Sequence, residues 1–216
     1  MQTKKFVVLA VLFLLPITVY LFFASAKNNF VKLPTLSEGV EELYAFQGID
    51  TTELRLEDRI TVLTFYGSDL DAKKASAFNL AHKIYKKNHQ FDEFQFVSII
   101  TPDQKPSALE LQEKIQEIAD PEHWYFAMAD AAAIEKLFYS LGTGAGLDGT
   151  SGSFQVFIID KQRNLRGRDD DEDYGIMYGY NSADYAEINN KMSDDIKVVL
   201  AEYRLALKKY NSDREI

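Results

Sequence analysis

The chain has 216 residues, a formal net charge of -9 and no cysteine. The missing cysteines exclude disulfides, thiol redox cycling, thiolate nucleophiles and cysteine-ligated metal centres. Residues 1–26 hold two lysines and no acidic residue, which leaves 22 basic and 33 acidic residues in the rest of the chain. A field of that sign repels phosphate backbones, so we expect no nucleic-acid partner.

The first predicted element is a membrane helix. Phe6 to Ser25 carry no charge, and a helix of this length, rising ~1.5 Å per residue, spans a hydrocarbon core of ~30 Å. Lys4 and Lys5 precede it, so the positive-inside rule places the N-terminus in the cytoplasm. We therefore predict a single-pass protein of the cell (inner) membrane, attached through Phe6 to Ser25, with an extracytoplasmic or periplasmic main domain.

A cleaved signal peptide is the alternative for this segment. Ala24-Ser25-Ala26 fits the small-residue cleavage pattern, although the apolar run exceeds the ~7–15 residues of a signal peptide. In either case we expect residues 1–26 to form the anchor or leader. Residues 27–39 are predicted to be a stalk, polar at its start and containing Pro34. Residues 40–216 are predicted to be one domain.

The next residues alternate between predicted strands and helices. Ile60 to Tyr66 is rich in β-branched and aromatic residues and predicts a strand buried on both faces. Ala72 to Lys87 has apolar residues at helical spacing. Phe94 to Ile100 predicts a second buried strand. Ser107 to Glu110 has the form of a capping box, which predicts a helix start, with the helix running to about residue 119.

The second half of the domain continues this alternation. Trp124 to Phe126 predicts a third strand, and Asp130 is expected to cap the following helix. A glycine-rich connection, Gly142 to Gly152, leads to a fourth strand, Phe154 to Asp160, which returns as a hairpin. A long terminal helix is indicated by an apolar stripe at Ile188, Met192, Ile196, Val199, Tyr203 and Leu207.

This order of elements predicts an α/β fold. Strands separated by helices are expected to run parallel with right-handed crossovers, and an antiparallel hairpin closes the sheet. The architecture that fits best is a thioredoxin-like three-layer domain with a central mixed sheet, preceded by one N-terminal transmembrane helix.

Several segments also match one known family in chain order. They are Ile60–Tyr66, Ser98–Asp103 with Pro106 and Leu109, Trp124 with Asp130, Ile134, Leu137 and Gly142, and Phe157–Lys161 with Arg166 and Gly167. Together they resemble the Sco/SenC proteins, membrane-anchored thioredoxin-fold domains that deliver copper to, or set the thiol redox state for, cytochrome c oxidase assembly. The resemblance covers about Leu56 to Gly167.

The resemblance implies a Cys-x-x-x-Cys site and a metal-binding histidine that this chain lacks. Counted from Phe65-Tyr66, the two family cysteines fall near Asp69 and Lys73, and the histidine falls near Gly152. The chain thus resembles a divergent member without these ligands. The resemblance implies the fold and the location, while the missing ligands argue against copper binding and redox activity.

No other residue set predicts a catalytic, cofactor-binding or metal site, so we expect no cofactor and no enzymatic activity. Asp69 and Lys73 are spaced for an ion pair, or for an acid and base, at a helix start. The acidic run Asp169 to Asp173 indicates a solvated loop or a weak calcium site, but it lacks EF-hand spacing. His82 and His89 have no third ligand in the sequence pattern.

The function predicted from the sequence is therefore that of a non-catalytic protein-binding or assembly accessory. A link to respiratory oxidase assembly rests on family analogy. The alternatives are a carboxylate- or divalent-metal-dependent enzyme and a calcium-stabilised structural module. The expected partners are the membrane and other membrane or extracytoplasmic proteins. The tyrosines at 174, 178, 180 and 185 indicate either a recognition surface or packing over the domain's own sheet.

Overall fold

The computed structural model describes residues 2–25, 32–50 and 53–214 in two compact units, Met1–Val31 and Lys32–Ile216. In the first unit, Gln2–Ser25 form helix α1. Its segment Lys4–Phe22 has a mean hydropathy of 2.4, and within the described ranges it is the one helix long and apolar enough to cross a membrane. Ala26 of the alternative cleavage site and Lys27 lie outside the described residues.

The second unit is a domain of short strands and helices. Its strands are β1 (Thr35–Ser37), β2 (Gln47–Gly48), β3 (Ile60–Gly67), β4 (Phe94–Ile100), β5 (Trp124–Met128), β6 (Ser153–Ile159), β7 (Leu165–Arg166), β8 (Arg168–Asp171), β9 (Gly175–Met177) and β10 (Tyr180–Asn181). Its helices are α2 (Leu70–Leu80), α3 (Lys86–Asn88), α4 (Lys105–Gln116), α5 (Ala131–Ser140), α6 (Tyr185–Glu187) and α7 (Ser193–Arg214). Single π-helical segments, Ala81–Tyr85 and Ile188–Met192, join α2 to α3 and α6 to α7.

The strands form one mixed sheet and a separate hairpin. The sheet has the order β1-β7-β6-β3-β4-β5-β2, with β10 also paired to β6, and the hairpin consists of β8 and β9. β3, β4 and β5 run parallel, as predicted. The predicted thioredoxin-like α/β fold with a central mixed sheet is confirmed.

The fourth predicted strand, β6, corrects one expectation. It follows α5, yet it pairs antiparallel with β3, so that Ser153 lies beside Phe65. The reason is the long connection of residues 141–152, which carries the chain to the carboxyl end of β3 before β6 begins. A short connection from α5 to β6 would have started β6 at the amino end of β3, as a parallel crossover requires.

Side chains alternate between two hydrophobic layers on the faces of the sheet. On β3, Val62 and Tyr66 contact the layer formed with α2, α4 and α7, whereas Leu63 and Phe65 contact the layer formed with α5. This alternation is the period of two that a strand imposes. Phe65 packs edge-on against Phe138 of α5, with 5.1 Å between ring centroids. The sheet is therefore covered on both faces, which gives the three layers.

Helix starts were predicted with mixed success. The Asp130 side chain accepts a hydrogen bond from the Ala133 amide at 2.8 Å, so the predicted cap of α5 is confirmed. The capping box at Ser107 is wrong, because α4 begins at Lys105 without a side-chain cap. Pro106 lies in the first turn of α4, where proline is favoured, and a 3-10 turn at Pro102–Gln104 leads directly into the helix.

The domain also begins earlier than predicted. β1 pairs antiparallel with β7, and Leu33 is buried. The Arg166 guanidinium donates from Nε to the Leu33 carbonyl at 2.9 Å and forms an ion pair with Glu202 of α7 at 2.9 Å. The second half of the predicted stalk, residues 27–39, therefore belongs to the folded domain. Residues 26–31 lie outside the described ranges.

Candidate functional site

The sequence-predicted ligand positions lie where three segments meet at the carboxyl end of β3. The Ser68 amide donates to the Thr150 carbonyl at 2.8 Å, and the Thr101 amide donates to the Gly67 carbonyl at 3.0 Å. Gly67 has a φ of +62°, and a Cβ placed on it would lie 2.0 Å from the Thr150 carbonyl oxygen. Only glycine fits this close backbone approach.

Asp69 acts as the N-cap of α2. Its Oδ1 accepts a hydrogen bond from the Ala72 amide at 3.2 Å, which satisfies one of the free amides at the helix start. The sequence offered an ion pair between Asp69 and Lys73 as a possibility. That pairing is wrong, because the ammonium of Lys73 pairs with a different carboxylate.

Lys73 is buried at the centre of the site, with its side chain 4% exposed. Its Nζ lies 3.1 Å from Oδ2 of Asp148 and 3.5 Å from Oγ1 of Thr150. The ring centroid of Phe154 lies 5.4 Å from the same atom, within the range of a cation–π contact. The glycine-rich connection therefore supplies the counter-ion of a buried lysine.

The Asp148 carboxylate organises the end of that connection. Its Oδ1 accepts from the Thr150 amide at 2.9 Å, the Thr150 hydroxyl at 2.5 Å and the Gly152 amide at 2.9 Å. Partial desolvation, the largest single influence, raises the pKa of Asp148, but the hydrogen bonds from Thr150, Gly152 and Lys73 together lower this pKa to about 2. Asp148 is thus ionised at neutral pH and matches the Lys73 charge.

Gly152 lies directly against this lysine. A Cβ at Gly152 would lie 2.6 Å from Nζ of Lys73 and 3.0 Å from the Tyr66 carbonyl oxygen. The fold therefore brings Lys73 and Gly152 together, and Asp69 lies one helical turn before Lys73. The lysine side chain occupies the space beside Gly152, so no larger side chain fits there while Lys73 is in place.

These residues do not fit a copper ion. Copper(I) prefers thiolate and thioether sulfur, and the chain has no cysteine. An ammonium group has no lone pair to donate and carries a positive charge. The Tyr66 phenol stays protonated at neutral pH, because burial raises its pKa to about 12. The site is therefore built around a buried ion pair and offers no thiol ligand for copper.

The acidic run Asp169 to Asp173 is not a wholly solvated loop, because it includes strand β8 and a buried residue. Asp171 is buried and forms ion pairs with Lys191 at 2.6 Å and Arg168 at 3.3 Å. Two protein cations therefore pair with the Asp171 carboxylate. Across the described ranges, no group of at least three His, Asp or Glu side chains is arranged to hold a metal ion.

The histidines do not assemble into a site either. His82 is exposed in the π-helical segment that follows α2. His89 is partly buried, and its Nδ1 lies 3.1 Å from the Lys86 carbonyl. The residue that sequence reasoning missed is Asp148. Its signal is the Asp-Gly-Thr order of residues 148–150 in a glycine-rich connection, since an aspartate side chain readily accepts from amides two residues later.

The fold and the site together define a thioredoxin-fold domain of Sco-like architecture that contains no thiol. Two solved structures support this. BsSco, described as a member of the Sco family of cytochrome c oxidase assembly proteins, matches with a TM-score of 0.50 and 14% identity over 78% of this chain and 98% of its own. A putative electron transfer protein from Aquifex aeolicus VF5 matches with a TM-score of 0.51 and 15% identity over 76% of this chain and 97% of its own.

At these identities the structural likeness establishes the fold. The matched chains are covered almost completely, so the whole domain takes part in the likeness and not a single motif. The predicted Sco-like thioredoxin fold is thereby confirmed. No protein-family model matches the sequence. No curated protein matches it either.

Proposed function

We propose that this chain is a membrane-anchored, extracytoplasmic Sco-like domain that acts by binding other proteins and has no metal or thiol chemistry. The observation that carries the proposal is the buried Lys73 ammonium beside Gly152, held by Asp148 at 3.1 Å. This ion pair lies where the family resemblance implies the copper ligands.

Two physical arguments support the loss of metal binding. The positive charge of Lys73 repels a cation, and its side chain fills the space against Gly152. A buried charge is costly to leave without a partner, so the buried Lys73 ammonium depends on Asp148. In place of a metal centre, the Lys73–Asp148 ion pair joins α2 to the glycine-rich connection.

The fold relatives and α1 support a proposal for the biological setting. BsSco is described as belonging to a family of cytochrome c oxidase assembly proteins. By analogy we place this domain in respiratory oxidase assembly, on the extracytoplasmic side of the inner membrane, as an accessory that binds other proteins. The charge asymmetry around α1 supports that orientation, since Lys4 and Lys5 precede the apolar run.

A copper(I) titration of the full chain tests the proposal. The protein, held in a neutral detergent, competes with a chromophoric copper(I) chelator under anaerobic conditions. We expect the chelator to keep the copper at every protein concentration. Tight binding of one copper(I) ion per chain would overturn the proposal.

The two alternatives from the sequence gain no support from the geometry. Asp69 is engaged as a helix cap, and Asp171 is engaged in ion pairs with Arg168 and Lys191. An acid–base enzyme needs a carboxylate free to exchange a proton with substrate. A calcium site needs several oxygen ligands that converge on one ion.

A further inference from the structure

A small groove lies between the glycine-rich connection and the segment that follows β8. Its volume is about 250 Å³. Phe157 and Met177, both nearly buried, contribute to its apolar lining. Thr143 and Ala145 line it from the glycine-rich connection. Small-molecule sites have volumes of about 300–1,000 Å³, so this groove suits one inserted side chain better than a cofactor.

Large apolar side chains stand exposed on the hairpin side of this groove. Ile176 is 52% exposed and Tyr174 is 60% exposed, and both line the groove. Tyr178 packs partly against the α5 layer of the core. Tyr180 is buried, so the tyrosine-rich segment divides between a recognition-type surface and core packing. Exposed aromatic and aliphatic residues beside a concave surface are typical of binding sites.

The hairpin that presents Tyr174 and Ile176 is held rigidly. Arg168 donates from Nε to Asp195 of α7 at 2.7 Å, and Lys191 pairs with Asp171 at 2.6 Å. The Tyr174 hydroxyl donates to Glu187 at 3.2 Å. A preformed surface loses little conformational entropy on binding. The groove is therefore organised before any partner arrives.

The hairpin beside the groove is negatively charged, because strand β8, which pairs with β9, is rich in acidic residues. Asp169, Asp170 and Glu172 are exposed, and within the described ranges none of them forms an ion pair. The sequence contains no lysine or arginine from residue 169 to residue 190, or from residue 141 to residue 152. Arg168 and Lys191 pair with Asp171, and Lys191 Nζ also lies 5.1 Å from the ring centroid of Tyr174. The three unpaired acidic side chains still leave the hairpin with negative charge beside the groove.

We propose that this groove binds an extended, lysine- or arginine-rich segment of a partner protein, which inserts one aliphatic or aromatic side chain beside Ile176. The groove's volume and apolar lining, and the acidic hairpin beside it, match such a segment in size, polarity and charge. This proposal rests on the proposed binding function, for which it names the surface and the chemistry of the partner.

Fluorescence anisotropy with short labelled peptides tests the groove. The full chain is placed in nanodiscs of zwitterionic phosphatidylcholine. The first peptide has a central leucine flanked on both sides by lysines. A second peptide has serine in place of leucine, and a third has glutamates in place of the lysines. We expect saturable binding of the first peptide alone, weakening as salt is added.

Matched variants locate the binding surface. Ile176→Ser should weaken binding about tenfold through the loss of an apolar contact. The triple variant D169N/D170N/E172Q should weaken it to a similar extent through the loss of three exposed charges of the hairpin. The controls are Tyr139→Ser, an aromatic that is 62% exposed on α5, and E113Q/E122Q/E135Q, which removes three exposed charges elsewhere. Both controls should retain wild-type affinity.

Several results would contradict the proposal that the groove binds a cationic segment. Absence of peptide binding, equal binding of the serine peptide, or equal loss in E113Q/E122Q/E135Q would overturn the proposal. Concentration-dependent self-association abolished by Ile176→Ser would assign the groove to a second copy of the chain and also overturn it. A copper(I) titration on the same preparation separates the two failures, because copper binding contradicts the proposed function and leaves the peptide result unaffected.

Discussion

At the scale of single residues, the main finding is that Lys73 and Asp148 are not equivalent partners. The lysine side chain is 4% exposed, whereas the aspartate side chain is 43% exposed. Removal of the carboxylate leaves a buried ammonium without its counter-ion. Removal of the lysine leaves a carboxylate that water reaches and that still accepts hydrogen bonds from Thr150 and Gly152.

This asymmetry predicts unequal costs in stability. Asp148→Ala should lower the free energy of unfolding by about 3 kcal/mol, whereas Lys73→Met should lower it by about 1 kcal/mol or less. The double variant should be more stable than Asp148→Ala alone, because it no longer contains an unpaired buried charge. Urea denaturation measures all three.

The exposed pair Asp71–Lys74, with side chains 66% and 27% exposed, provides the control. Asp71→Ala should change the free energy of unfolding by about 0.5 kcal/mol or less. Equal losses in Asp71→Ala and Asp148→Ala, or a double variant less stable than Asp148→Ala, would contradict the assignment of Lys73 as a buried ammonium that depends on Asp148.

The lowered pKa of Asp148 predicts a loss of stability in acid. Its pKa is about 2 in the folded chain, against about 3.9 for an unperturbed aspartate. The stabilisation is therefore complete above about pH 4 and is lost as the pH falls toward about 2. The wild-type chain should lose more unfolding free energy across this window than Asp148→Asn does. If the unfolding free energies of the two proteins change equally with pH, the fold does not stabilise the ionised form of Asp148.

At the scale of elements, the acidic hairpin is tied to α7 through Asp195. This carboxylate is buried and accepts from Arg168 Nε at 2.7 Å and from the Tyr180 hydroxyl at 2.6 Å. The pKa of Tyr180 is raised well above its usual value, first by burial and then by the Asp195 charge. Tyr180 therefore stays protonated at neutral pH and donates its hydroxyl hydrogen to Asp195.

Asp195→Asn should loosen the hairpin more than the sheet. We expect a loss of about 2 kcal/mol, since the Arg168 guanidinium loses its main counter-ion. Amide hydrogen exchange should accelerate over residues 168–177 and change much less in β3 and β4. The neighbouring Asp194, whose side chain is 64% exposed, is the control. If Asp194→Asn and Asp195→Asn accelerate exchange equally, the network does not hold the hairpin.

Elements were predictable where local pattern and burial agree. β3 and β4 are long apolar runs buried throughout, so their strand identity could be predicted from composition alone. The direction of β6 could not be predicted from the sequence, because it depends on the end of the sheet to which residues 141–152 carry the chain. The strand β8 could not be predicted either, since Asp171 is buried only through ion pairs made by Lys191 and Arg168.

At the scale of the whole molecule, the resemblance predicted the fold correctly from ordered short matches. It also predicted which positions would lie together, since Lys73 and Gly152 meet in the site. It could not predict what fills the site. The counter-ion Asp148 comes from a different segment, and only the fold brings that segment beside α2. An ion pair between distant segments leaves no periodic pattern in a single sequence.

The most direct test of the central claim is to rebuild the implied site. The triple variant is D69C/K73C/G152H. A Cβ at residue 152 would lie 2.6 Å from Nζ of Lys73, and the variant removes this lysine. The Tyr66 carbonyl oxygen, 3.0 Å from the same Cβ, is then the nearest remaining contact. Circular dichroism first checks that the variant is folded, and D69C/K73C serves as the control for the histidine. In an anaerobic copper(I) competition titration, we predict stoichiometric binding by the triple variant and none by the wild-type chain. Tight binding by the wild type, or no binding by a folded triple variant, would contradict the claim that Lys73 and Asp148 occupy the place of a metal site.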